Sequence, residues 1–162
     1  HCFGEKFINE GDEIISTELE HHANYVPWHF LRKKKNAIIK FIPIDDDGNL
    51  LIDQLPGLIT NKTKIISVTH MSNVTGTIID IKKIKEIANA HGIPVCVDGT
   101  QGAAHLKTDM QELGCDFYAF SAHKMYVMRR AQRTGRRLRA VSNLVCAATT
   151  RFGQTQARSS RL

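Results

Sequence analysis

Apolar residues in the first 126 positions come in short blocks that switch between two spacings. The stretches 12–17, 37–42, 64–69, 93–97 and 116–120 carry compact runs of Ile, Val, Phe and Ala, the length and composition of strands. Between them the spacing widens to that of helices. Residues 24–35 read as a helix, with Asn24 as N-cap and Val26, Phe30 and Leu31 on one face. Residues 52–59 read as a short helix. Residues 79–90 read as an amphipathic one, apolar at Ile81, Ile84, Ile87 and Ala88 and closed by His91-Gly92. A last short helix, 110–113, ends at Gly114. Several strands are apolar on both faces, as in a sheet covered by helices on each side. The pattern predicts an α/β fold with a mostly parallel sheet and flanking helices.

Composition leaves that picture intact: 42% hydrophobic and 23% charged residues are ordinary for a globular chain. No run reaches the ~18 apolar residues of a membrane span. The chain opens on His1-Cys2-Phe3-Gly4 without a Met or the basic and apolar regions of a signal peptide, which suggests that it starts inside a longer reading frame. Cys2, Cys96, Cys115 and Cys146 form no C-x-x-C pair, so neither a zinc site nor a disulfide framework is expected. Cys96, inside an apolar run, reads as a buried thiol, and reduced thiols fit the cytoplasm or an organelle matrix.

Charge divides the chain. Residues 1–126 hold all 16 acids against 12 Lys and Arg32, a net charge of −3. Residues 127–162 hold nine Arg, no Lys and no acid, a net +9. The α/β punctuation stops at the same place, after Tyr126. Three readings of 127–162 stand: a basic tail for nucleic acid or an acidic surface, an unusual helix with a short apolar stripe at Leu138, Val141, Leu144 and Val145, or a non-native sequence such as a frameshift. The last is preferred, with disorder expected for much of the segment.

In open parallel sheets, ligands gather at the carboxyl ends of the strands. Three predicted strands end in polar clusters: Thr69-His70-Met71-Ser72-Asn73, Asp98-Gly99-Thr100-Gln101 and Ser121-Ala122-His123-Lys124. If the strands run parallel, all three open on one edge. Singly, each residue has an ordinary reading: Asp98 as a helix cap, Lys124 as a surface lysine, His21-His22 as a surface pair. Together they suit pyridoxal 5'-phosphate (PLP). That cofactor needs a lysine amine for an imine link and a carboxylate that keeps its ring nitrogen protonated. Lys124 and Asp98 supply these, 26 residues apart. Gln101 can bond the ring oxygen, Ser121 and His123 the phosphate, and His21 or His22 can stack on the ring. The Asp45-Asp46-Asp47-Gly48 run lacks the alternation of a calcium loop, no His pair has zinc spacing, and no P-loop pattern occurs.

Four motifs, Glu20-His21-His22-Ala23-Asn24, Thr69 to Thr77, Val97-Asp98-Gly99-Thr100-Gln101 and Ser121 to Tyr126, resemble those of the Suf-type (group II) cysteine desulfurases and selenocysteine lyases. These belong to the class-V aminotransferase group of fold-type I PLP enzymes, and the resemblance covers roughly residues 3–126. It implies a partial fold-type I large domain. It also implies roles by position: Lys124 as the imine-forming lysine, Asp98 at the pyridine nitrogen, Gln101 at the phenolic oxygen, Ser121 and His123 at the phosphate. His21 would stack on the ring and assist proton transfer, and Asn73 would lie near the substrate carboxylate. The implied reaction turns L-cysteine (or L-selenocysteine) into L-alanine. The freed Lys124 amine removes the Cα proton, and a catalytic cysteine takes the sulfur as a persulfide for iron–sulfur cluster assembly. A homodimer and a sulfur-acceptor protein are implied as partners; neither membrane nor nucleic acid is.

The family pattern continues after Lys-Met-Tyr with Gly-Pro, where this chain reads Val127-Met128-Arg129-Arg130. The catalytic-cysteine loop, the substrate-binding arginine and the small domain are expected beyond that point, and Cys146 matches no such loop. A Gly-Thr-Thr phosphate turn is expected before His1. The chain therefore divides into a partial PLP-binding domain, 1–126, and an Arg-rich non-family tail, 127–162, and weak PLP binding and no desulfuration are expected from these residues. Another class-V reaction (an aminotransferase or a kynureninase-like lyase) and a non-catalytic fragment with a basic binding tail are the alternatives.

Overall fold

The computed structural model describes residues 2–121, residue 124 and, as backbone, residues 144–148. One sheet organises them, with strands β1 (Glu13–Thr17), β2 (Ile38–Ile42), β3 (Thr63–Thr69), β4 (Val95–Asp98), β5 (Phe117–Ser121) and β6 (Leu144–Ala148). Their order across the sheet is β2-β1-β3-β4-β5-β6. Every pairing from β2 to β5 is parallel, and β6 runs antiparallel to β5. The mostly parallel sheet expected from the doubly apolar runs is therefore present. β6 lies in the segment where the sequence suggests disorder for much of its length; the rest of that segment lies outside the described residues.

Adjacent apolar residues serve opposite faces, because side chains alternate along a strand. Ile14 and Ile65 join Ile8, Trp28 and Leu31 in one cluster, beneath α1 (Cys2–Phe7) and α2 (His22–Lys35). Ile15, Ile66, Val68 and Val97 join Leu55, Ile81, Ile84 and Ala88 in the larger cluster. It is covered by α3 (Leu55–Leu58) and α4 (Ile81–Ala90). The result is three layers, helix–sheet–helix.

Capping explains where α4 starts and stops. Asp80 accepts a hydrogen bond from the Lys83 N–H at 3.0 Å, and Gly92 takes a positive φ of 68° just past the end. Two short helices, α5 (Gly102–His105) and α6 (Met110–Leu113), connect β4 to β5, where the sequence pattern offers only the second. The 52–59 helix resolves into a 3-10 turn, Ile52–Gln54, followed by α3.

Two expectations for α2 are corrected. The helix begins at His22, and His21, not Asn24, is the N-cap, accepting from the Ala23 N–H at 3.1 Å. Its buried face carries Trp28 and Leu31, whereas Phe30 is 65% exposed and Val26 is exposed too. Cys96 is half-buried against the smaller cluster, less covered than its apolar neighbours suggest; Cys115 is the buried thiol.

Candidate functional site

Strand order decides where a ligand can enter. From β1 the chain returns through α2 to β2 on one side; from β2 it crosses to β3 on the other. The loops after β1 and β3 thus diverge and leave a crevice at the carboxyl ends, the position where open α/β sheets bind ligands. Register aligns the ends: Thr69 pairs with Asp98, and Asp98 with Ala119, two residues before Ser121.

A cavity of about 320 Å³ opens there, lined by His21, Ala23, Thr69, Met71, Asn73, Asp98, Thr100, Gln101, Ser121 and Lys124. Six residues singled out in the sequence (His21, Asn73, Asp98, Gln101, Ser121 and Lys124) therefore line one cavity. They come from four strand ends. His123 lies outside the described residues. His22 instead faces a neighbouring groove with Thr17, Glu18, Glu20, Tyr25 and Phe41.

Local chemistry holds each lining residue. Asp98 Oδ1 accepts from the Thr100 N–H at 3.0 Å, which shapes the turn that presents Gln101. Asp98 Oδ2 has no partner among the described residues. The His21 Nδ1 that caps α2 leaves Nε2 as the ring atom for other contacts. Asn73 rides on a loop whose strands meet at a Met71–Ile78 bridge, and Ser72 Oγ accepts from the Val74 and Thr75 N–H groups at 3.2 Å each.

Under the Asp98–Gln101 turn the backbone is too close to its neighbours for side chains. A Cβ on Gly99 would stand 1.9 Å from the Tyr118 ring, and one on Gly102 would stand 2.3 Å from His70 Nδ1. Glycine is required there for the close approach. Burial lowers the His70 pKa and pushes the Tyr118 hydroxyl up to about 12.

Glu20 is the residue that sequence reasoning undervalued. Its Oε1 accepts from Thr17 Oγ1 at 2.7 Å and from the Thr69 N–H at 2.8 Å, while Oε2 accepts from Asn24 Nδ2 at 2.6 Å. Asn24 Oδ1 in turn accepts from Ser67 Oγ at 2.8 Å. Burial, reinforced by the nearby Asp98 carboxylate, raises Glu20 to about 7 against these hydrogen bonds. The available signal was a carboxylate four residues before an Asn, at the end of a buried strand.

Among the described residues no cluster of three or more His, Cys, Asp or Glu could hold a metal ion, and no helix is long and apolar enough to cross a membrane.

A helix-covered, mostly parallel sheet with a polar crevice at its switch point defines the class: an open α/β fold with a cavity at its strand ends. The chain belongs to the class-V aminotransferase family, which matches residues 1–128. It is 55% identical over 125 residues to a probable cysteine desulfurase of Staphylococcus aureus (strain Mu50), a match covering 77% of this chain and 30% of that protein. A probable cysteine desulfurase of Mycolicibacterium paratuberculosis is 46% identical over 126 residues, 78% of this chain and 18% of that one. The crystal structure of the cysteine desulfurase CsdA from Escherichia coli superposes with a TM-score of 0.74 at 41% identity, covering 78% of this chain and 32% of that one. The chain thus spans less than a third of the length of these relatives.

Proposed function

We propose that residues 1–126 form a PLP-binding cradle of the cysteine desulfurase type, whose reaction converts L-cysteine to L-alanine and passes the sulfur on as a persulfide. The observation that carries this reading is the convergence of Lys124, Asp98, Gln101, Ser121, Asn73 and His21 on one cavity. The donor set fits the cofactor: an amine, a carboxylate with one oxygen uncommitted among the described residues, an amide, a hydroxyl and an imidazole. PLP, when bound, supplies a ring that withdraws electrons from the substrate α-carbon.

The residues then divide the work. Lys124 would hold the cofactor and supply the amine that moves the α-proton. Asp98 would serve the ring nitrogen, Gln101 the ring oxygen, and Ser121, with His123, the phosphate. His21 would pack on the ring and assist proton transfer, and Asn73 would orient the substrate carboxylate. No cysteine lines the cavity among the described residues, so the thiol that receives sulfur is not supplied by its walls. On this reading the 162 residues bind PLP weakly and do not complete sulfur transfer. The family match ends at residue 128, so residues 129–162 lie past it. A second copy of the chain and a sulfur-acceptor protein are the partners this reading entails.

The purified chain, titrated with PLP, is expected to develop the absorption band of lysine-linked cofactor, which Lys124→Ala abolishes. With L-cysteine added, alanine is expected to stay at the level of that control. Equal binding by Lys124→Ala would overturn the cradle; alanine above the control would overturn the inactivity.

A further inference from the structure

We propose that Glu20 is a positioning residue: with Asn24 and Ser67 it forms a hydrogen-bond clamp that holds the His21 wall and the Asn73 wall of the cavity in mutual register. The inference rests on the cradle proposed above and adds a residue to it.

Three elements meet at Glu20. It closes the loop after β1, it accepts from the backbone N–H of Thr69 at the end of β3, and it binds Asn24 in the first turn of α2. These are the elements that diverge at the switch point, where the β1–β3 pairing ends at Ile15–Ile66. His21, the next residue, lines the cavity from the β1 side. Thr69, Met71 and Asn73 line it from the β3 side. The Glu20 carboxylate is a direct link between the two walls.

The chain of bonds has a sense of direction. Ser67 Oγ donates to Asn24 Oδ1, and Asn24 Nδ2 donates to Glu20 Oε2. A hydroxyl can accept as well as donate. If Glu20 takes up a proton at Oε2, the Asn24 amide can turn over. Oε2–H then donates to Asn24 Oδ1, and Nδ2 donates to Ser67 Oγ. Every group stays paired in both senses, while Oε1 keeps its bonds to Thr17 and Thr69. The clamp thus survives a change of charge. That matters because burial brings Glu20 to about 7, with Asp98 of β4 adding to the rise, and with Glu18 and His22 lining the groove on its other side.

This logic sets a demanding test. In Asn24→Asp, studied at about pH 9 so that Glu20, which holds its proton up to about 7, is ionised, two carboxylates face each other and the clamp opens. In the exchange Glu20→Gln with Asn24→Asp, the amide donates to the new carboxylate, which still accepts from Ser67, so the clamp closes again. The full 162-residue chain is used throughout. PLP affinity is expected to fall about tenfold or more in Asn24→Asp, the loss of roughly one charge-assisted hydrogen bond. It is expected to return to within about threefold of the starting chain in the exchange variant, a change smaller than one ordinary hydrogen bond.

A second readout needs no cofactor. The His21 ring and Asn73 amide NMR signals of the chain without PLP are expected to move together in Asn24→Asp and to return together in the exchange variant. Recovery of these signals without PLP binding in any variant supports the clamp and refutes the cradle. Should Asn24→Asp fail to fold, a folded exchange variant with both signals restored supports the clamp. Unmoved signals in a folded Asn24→Asp, or an exchange variant that is unfolded or keeps displaced signals, would overturn it.

Discussion

His70 Nδ1 lies 2.9 Å from the Tyr118 hydroxyl, and the pair is wedged against the turn that carries Asp98. The His70 N–H also donates to the Asp98 carbonyl at 2.9 Å, and the Gly99 N–H to Ala119 at 2.7 Å. This pair, one partner from the end of β3 and the other from β5, fixes the height of the carboxylate between them. Tyr118→Phe should leave a buried ring nitrogen without its partner and cost about 1–3 kcal/mol of stability. Urea unfolding followed by Trp28 fluorescence measures it; an unchanged midpoint would show that the bond contributes nothing.

Acid and neutral pH act on two buried groups with opposite sign. Glu20 keeps its proton in the folded chain up to about 7, while the unfolded chain loses it near the ordinary 4.5. The folded state therefore binds more protons between those values, and this group's contribution to stability falls as pH rises from 4.5 to 7. His70 is the reverse: burial holds its pKa below the ordinary 6.5, so the unfolded state takes the proton first and stability falls as pH drops below 6.5. The stability difference between the starting chain and Glu20→Gln should decline across the first window. That against His70→Gln should decline on acidification below the second. Parallel profiles in both cases would contradict the assignment.

Lys85 and Asp116 form a buried ion pair, and Asp116 also accepts from the Val95 N–H at 2.8 Å, which locks β5 beside β4. Removing the ammonium leaves a carboxylate buried and unpaired. Lys85→Ala is expected to destabilise by about 3–5 kcal/mol. Lys85→Ala with Asp116→Asn should recover part of that loss, as a double-mutant cycle in urea measures; additive losses would exclude coupling between the two.

The strands and the shared edge were legible because both leave local marks. A strand buried on two faces must be apolar at successive positions, as Ile14-Ile15 and Ile65-Ile66 are. A parallel sheet then brings its polar ends together without further information. Long-range partnerships left no such mark. Asn24 has the chemistry of a cap, yet its amide is committed to Glu20 and Ser67, and His21 caps instead. Val26 and Phe30 have the spacing of a core face, but Trp28 and Leu31 meet the sheet. Leu144 and Val145, which fit a short helical stripe as one alternative to the disorder expected there, lie in β6, since a short apolar run fits either period. Four-residue helices such as α5 are too short to show a period at all.

On the cradle proposed above, this edge of the sheet holds PLP through one particular amine among the 12 lysines. The direct measurement is borohydride fixation of the PLP–lysine adduct on the intact chain, followed by peptide mass mapping. A single modified site at Lys124 is expected, saturating with PLP and lost when Asp98→Ala weakens the cradle. Label spread over exposed lysines such as Lys82 and Lys83, or Lys124 labelling indifferent to Asp98→Ala, would contradict it.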